Sequence, residues 1–210
     1  MLVALVIIWA ARLSVDHDVY VSELGATGAP TARAFEVALL LVVVGGSLIA
    51  FAGRDVRSRV RFLAVWTPAI SLWIASGFFL VASQVTCTAG CPVPYGPSFD
   101  WQDLTHIVCA TAAFVVSCWA MLQTSFAHGH RVLSRFSLAM GAAVGLIAAT
   151  GGILSLARFQ ADFGSRLELA ATTLAIAWVA VYGGVIAARR IRGQRAVIIS
   201  SSRLASPTST

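Results

Sequence analysis

The chain has 210 residues, 58% of them hydrophobic and 11% charged, with a formal net charge of +6 and a mean hydropathy of +0.83. Soluble domains carry about 25% charged and 45–50% apolar residues, so the composition excludes an ordinary soluble domain and points to a membrane protein. All 15 basic residues are Arg; they sit at the ends of apolar runs without interleaved aromatics, which reads as membrane topology and not as a nucleic-acid surface.

Apolar runs cover residues 1–15, 34–52, 62–85, 104–126, 136–157 and 167–188. Each of the last five is long enough for a hydrocarbon layer about 30 Å thick. The first is short, since at 1.5 Å per residue it reaches only about 22 Å. It reads as a tilted or thinned span, a span that starts upstream, or a signal peptide; the lack of a basic residue before it argues against the signal. The expected fold is an all-α polytopic transmembrane bundle of about six spans over residues 1–190. A Ser/Thr-rich cytoplasmic tail, 191–210, is expected to be disordered.

The loops carry the orientation. Arg54, Arg57, Arg59, Arg61, Arg131, Arg135, Arg189, Arg190, Arg192, Arg195 and Arg203 fall on one side, with Asp55 the single acid there. Asp16, Asp18, Glu23, Glu36, Asp100, Asp103, Asp162 and Glu168 fall on the other. The positive-inside rule places the Arg side and both termini in the cytoplasm of a cell membrane.

Between the first two runs, Thr27 is expected to cap a helix with Pro30 in its first turn, and Arg33 to pair with Glu36 one turn on. Pro68 is expected to kink the third span. The loop after it holds Pro92, Pro94 and Pro97, enough to rule out a regular helix, and Tyr95, Phe99 and Trp101 suit a membrane interface. Gly141, Gly145, Ala148 and Gly152 make a small-residue face that suits close helix packing. Cys109 and Cys118 fall on opposite faces of the fourth span and read as packing residues.

Cys87 and Cys91 lie in the loop placed outside, where oxidising conditions favour a disulfide; a metal site is the weaker reading, because a C-x3-C pair offers only two ligands. Asp103 and His106 share a face at the start of the fourth span. Asp16, His17 and Asp18 end the first. Were the two ends to meet, carboxylates and imidazoles would converge in a set suited to metal binding or acid/base work. The plainer reading is boundary polarity, with Asp103 complementing a helix dipole. Arg158, Asp162, Arg166 and Glu168 flank the last outer loop, paired with one another or facing lipid phosphates. The sequence has no Walker loop, G-x-S-x-G, H-E-x-x-H or dinucleotide fingerprint, and no cofactor is assigned.

The segments VSELGATGAPTARAF, DLTHIVCATAAF and FGSRLELA resemble the bacterial domain-of-unknown-function 998 family of six-pass membrane proteins. The layout is distantly similar to the eukaryotic Frag/DRAM/Sfk membrane proteins. Ser22, Gly25, Pro30, Phe35, His106, Phe114 and Arg166 match the first family's pattern. No activity is assigned to that family; the second is associated with lipid distribution or remodelling, which makes lipid handling an analogy. The expected role is binding a lipid or a membrane partner protein through an outer face built on Asp16, His17, Asp18, Ser22, Glu23, Asp103, His106 and Arg166. The alternative is an enzyme acting on a lipid headgroup through the Asp/His cluster.

Overall fold

The computed structural model describes residues 1–92, 95, 97, 99–127 and 131–205, with backbone alone for 193 and 195–205. The described residues form helices α1 (Leu2–Leu13), α2 (Ala32–Ala52), α3 (Pro68–Gln84), α4 (Trp101–Ser125), α5 (Arg131–Leu156) and α6 (Ala161–Ala205). Two 3-10 turns, Ser22–Gly25 and Phe62–Ala64, interrupt the connections. The backbone of α6 stays helical to Ala205, where the sequence suggests an unstructured tail. Extending a formed helix costs far less than starting one. Residues 206–210 lie outside the described residues, as does Pro94 of the loop after α3.

Helices α2, α4, α5 and α6 as far as Arg192 are long and apolar enough to cross a membrane, whereas α1 and α3 are shorter apolar helices. The pattern of burial explains why. On α2 the outward face is Val37, Leu41, Val44, Leu48 and Phe51, all exposed. Its inward face is Phe35, Ala38, Leu39, Gly46 and Ala50. A helix of a water-soluble protein would put polar residues outward. On α4 the polarity is inverted: Val108 and Val115 face out, while His106, Ser117, Gln123 and Thr124 are buried. That arrangement suits lipid outside and hydrogen-bonded side chains inside.

Consecutive helices pack side by side from α1 to α6, and α6 closes back on α2 and α1. One core cluster surrounds Trp178, Tyr182, Met121 and Val144; the other joins α1 to α2 through Ile8, Leu24, Phe35 and Leu39. The Trp178 indole donates to Ser137 Oγ at 2.9 Å. Gly141 meets Met121 of α4 and Gly151 meets Leu167 of α6, whereas Gly145 and Gly152 face open space. The small-residue face therefore packs inside the bundle only in part.

Several local expectations change. Pro68 starts α3 instead of kinking it, and Thr67 caps the helix by accepting from the Ile70 N–H. A Pro at the first helical position loses no hydrogen bond, so the chain uses it as a start signal. The N-cap of α2 is Thr31, not Thr27. The Thr31 hydroxyl donates to the Leu24 carbonyl at 2.7 Å, binding the helix start to the preceding 3-10 turn. Arg33 and Glu36 do not form an ion pair; among the described residues, Asp18 pairs with Arg12 and Arg166, and Asp55 with Arg190.

Candidate functional site

The connections α1–α2, α3–α4 and α5–α6 meet at one end of the bundle, the acidic end. Asp18 is the knot of the first. Its Oδ1 accepts from Arg12 of α1, and its Oδ2 accepts from Arg166 Nε and Nη2 at 3.0 and 2.7 Å. The Arg166 guanidinium, followed by Arg12, holds the Asp18 carboxyl below the usual carboxylate range. A two-toothed guanidinium fork on one carboxylate gives direction as well as attraction. The neighbours Asp16 and His17 are exposed.

Just beyond, the chain turns inward. The Val21 amide donates to Glu168 Oε2 at 2.8 Å, suspending the 3-10 turn Ser22–Gly25 from α6. The Ser22 amide and hydroxyl lie beside the same carboxylate. Glu23 is half-buried, and burial raises its carboxyl above the usual value against the pull of the Tyr20 backbone and the His17 charge. Gly25 sits directly under the Phe35 ring: a Cβ there would come within 2.5 Å of Phe35 Cδ1. Only Gly allows that approach.

The second connection docks on the first through the Thr27 amide, which donates to the Cys87 carbonyl at 2.9 Å. The Cys87 and Cys91 sulfurs lie at disulfide distance, with Cα atoms 5.2 Å apart. Asp103 holds this ring in place. Its two oxygens accept from the Thr88 amide at 2.7 Å and the Thr88 hydroxyl at 2.9 Å, and the residue is buried. One turn on, His106 Nδ1 donates to the Ala82 and Val85 carbonyls at 3.0 and 2.8 Å. It thereby caps the end of α3. With Nδ1 carrying the proton, the Nε2 of the neutral ring is the lone-pair nitrogen.

Beneath these loops lies a cavity of about 80 Å³ between the two core clusters. Its polar lining is Ser22, His106, Ser117, Glu168 and Thr172, and its apolar walls include Phe35, Leu39, Phe79, Phe114, Ile176 and Val179. At about 30 Å³ per liquid water, this is room for about two or three waters or a short stretch of hydrocarbon.

The expected site is thus divided by the fold. Ser22 and His106 share the cavity; Asp18 and Arg166 share an ion pair; Asp103 serves Thr88; Glu23 is part of the 3-10 turn; Asp16 and His17 face out. The Asp/His groups of α1 and α4 do not converge on one another. Helix α1 packs on α2 and α6, while α4 packs on α3 and α5. Cys87, Cys91 and His106 each bring a possible ligand atom within 4.8 Å of the others. Sulfurs joined to each other, however, offer no thiolate to a metal. Glu168 is the residue that the outer-face reading left out. Its signal was a carboxylate at the second position of the apolar run 167–188, a place that ordinarily has a buried partner.

The chain matches no protein-family model, no curated protein and no solved structure.

Proposed function

We propose that the chain is a six-span protein of the cell membrane, with both termini in the cytoplasm and its acidic end outside, and that it binds a lipid. The observation that carries this reading is the cavity between α1, α2, α4 and α6, apolar along its length and bearing Ser22, His106 and Glu168. An acyl chain or a similar thin apolar group fits the walls, and its polar end meets the lone pair of His106 and the Glu168 carboxyl. The distribution of Arg supports the orientation. Four membrane-capable helices and two shorter apolar ones, packed in sequence, support six crossings. Membership of the domain-of-unknown-function 998 family belongs to the same proposal, since Ser22, Phe35, His106 and Phe114 of the resemblance all line the cavity.

A headgroup enzyme using Asp18 and Asp103 has less support. Both carboxylates are engaged by Arg or Thr88, and a catalytic acid or base needs reach to a substrate proton. Binding of a membrane partner protein is the remaining alternative for the same face.

Native mass spectrometry of the protein released from its own membrane tests lipid binding. The wild type should retain a lipid of defined mass. Ala110→Leu fills the cavity without touching a hydrogen bond and should reduce retention at least tenfold with little change in thermal midpoint. Equal retention by the variant, or none by the wild type, ends the proposal.

A further inference from the structure

Helices α2 and α6 run in the same direction, so the cavity and a second concavity lie at opposite ends of this helix pair. Early residues of α2 (Phe35, Leu39) and α6 (Glu168, Ile176) line the first; Ala52 and Ile186 line the second. This cleft, of about 370 Å³, is also walled by Asp55, Val56, Arg57, Arg189 and Arg190. Three guanidinium groups against one carboxylate leave it with an excess of positive charge.

Its geometry is fixed in advance. Arg190 donates through Nε and Nη2 to the Ala52 carbonyl at 3.0 and 2.7 Å, and Nη2 lies 3.4 Å from Asp55 Oδ2. These bonds cap the end of α2 and leave the two N–H groups of Nη1 for another acceptor, since a guanidinium has five N–H donors. Two turns earlier on α6, the Tyr182 hydroxyl is buried with no hydrogen-bond partner among the described residues, against the position a Cβ would take at Gly53, next to Ala52. Leu48 and Phe51, exposed on the outward face of α2, lead from the apolar surface to the rim.

We propose that this cleft binds the phosphate of an anionic phospholipid. Guanidinium groups match phosphate oxygens through paired N–H donors, and acyl chains would continue along Leu48 and Phe51. The proposal is independent of the cavity at the acidic end and of what that cavity binds.

The test uses the full chain in nanodiscs of phosphatidylcholine, titrated with fluorescent phosphatidylglycerol and, as a competitor, inorganic phosphate against chloride of equal ionic strength. Wild type should prefer phosphatidylglycerol to labelled phosphatidylcholine by at least tenfold. Arg57→Gln with Arg189→Gln should remove most of that preference, whereas Arg131→Gln with Arg135→Gln, on α5, should keep it. Arg190 is left in place because it caps α2. Asp55→Asn should tighten binding a few-fold, by removing the one negative charge; a merely structural Asp55–Arg190 pair predicts no such gain. Displacement by phosphate but not chloride identifies a site that accepts the free anion, and resistance to both identifies one that requires the lipid. Equal binding of the two lipids, equal losses in both double variants, or displacement by chloride as effective as by phosphate overturns the proposal. Should the Arg57/Arg189 variant fail to fold, Asp55→Asn decides: unchanged or weaker binding refutes the site.

Discussion

The two ends of the bundle fasten their loops by different means. At the acidic end, ionisable side chains do it: Asp103 on Thr88, His106 on the last carbonyls of α3, Glu168 on the Val21 amide. At the arginine end Arg190 caps α2, but the loop before α3 is fastened by one neutral amide. Gln123 accepts from Ser71 Oγ at 2.7 Å and donates to the Leu63 and Trp66 carbonyls at 3.1 and 2.7 Å, while the Trp66 indole closes the ring on Ser71 at 2.8 Å. The difference teaches caution about buried charge. Asp103, His106, Glu168 and Arg190 are all engaged by backbone groups, and a functional reading belongs to those with hydrogen-bonding capacity left over beside a cavity. By that standard His106 and Glu168 qualify, and Asp103 does not.

Breaking the acidic end should have the largest effect. Asp103→Ala removes two hydrogen bonds to a charged acceptor and orphans the Thr88 N–H, at about 3–5 kcal/mol in all. At roughly 2–4 °C per kcal/mol for a chain of this size, the thermal midpoint in detergent should fall by about 6–20 °C. A loss under about 1 kcal/mol would mean that the Cys87–Cys91 ring is held by something else. Gln123→Leu should cost less, about 2–3 kcal/mol, because the orphaned groups are neutral. If the two variants prove equal, charge adds nothing to the fastening and the contrast between the ends is one of composition alone.

Gly25→Ala sharpens the comparison on the cavity itself. The new methyl would press on Phe35, which must move into the space it lines, with a cost of about 1–3 kcal/mol typical of overpacking. Lipid retention should fall together with stability in this variant, whereas Ala110→Leu should lower retention alone. Measuring both variants side by side separates a filled cavity from a strained one.

How much of this was legible in the sequence follows from which signals are local. Apolar runs gave the helices, because hydropathy and length depend on neighbouring residues only; 34–52 and 104–126 lie close to α2 and α4. Pro68 was misread as a kink because a proline in an apolar run has two meanings, and the choice depends on whether Thr67 caps it. The cysteine pair was visible because both residues fall in the loop placed outside, where oxidising conditions favour a disulfide. The joint cavity of Ser22, His106 and Glu168 was not, since it depends on α6 closing against α2, a contact between the second helix and the last. The same closure joins Asp18 to Arg166.

The smallest expected effect, and the finest probe of the acidic end, is its response to pH. Asp18 and Glu23 lie five residues apart yet are shifted in opposite directions. For Asp18 the folded value is depressed below the ordinary 3.8, so its contribution is present above that value and is lost as pH falls through the folded one. For Glu23 the folded value is raised above the ordinary 4.5; the fold then holds more protons than the unfolded chain, and stability declines as pH rises from 4.5 through the folded value. Asp18→Asn should therefore flatten the acid limb of a midpoint-against-pH curve. Glu23→Gln should flatten the decline on the other side and leave the acid limb in place. The first shift arises from an exposed guanidinium and should shrink in high salt, whereas the second arises from burial and should not. A Glu23 limb that shrinks in salt as much as the Asp18 limb would mean that burial does not set its shift, since screening the His17 charge, which lowers the Glu23 value, would enlarge the shift.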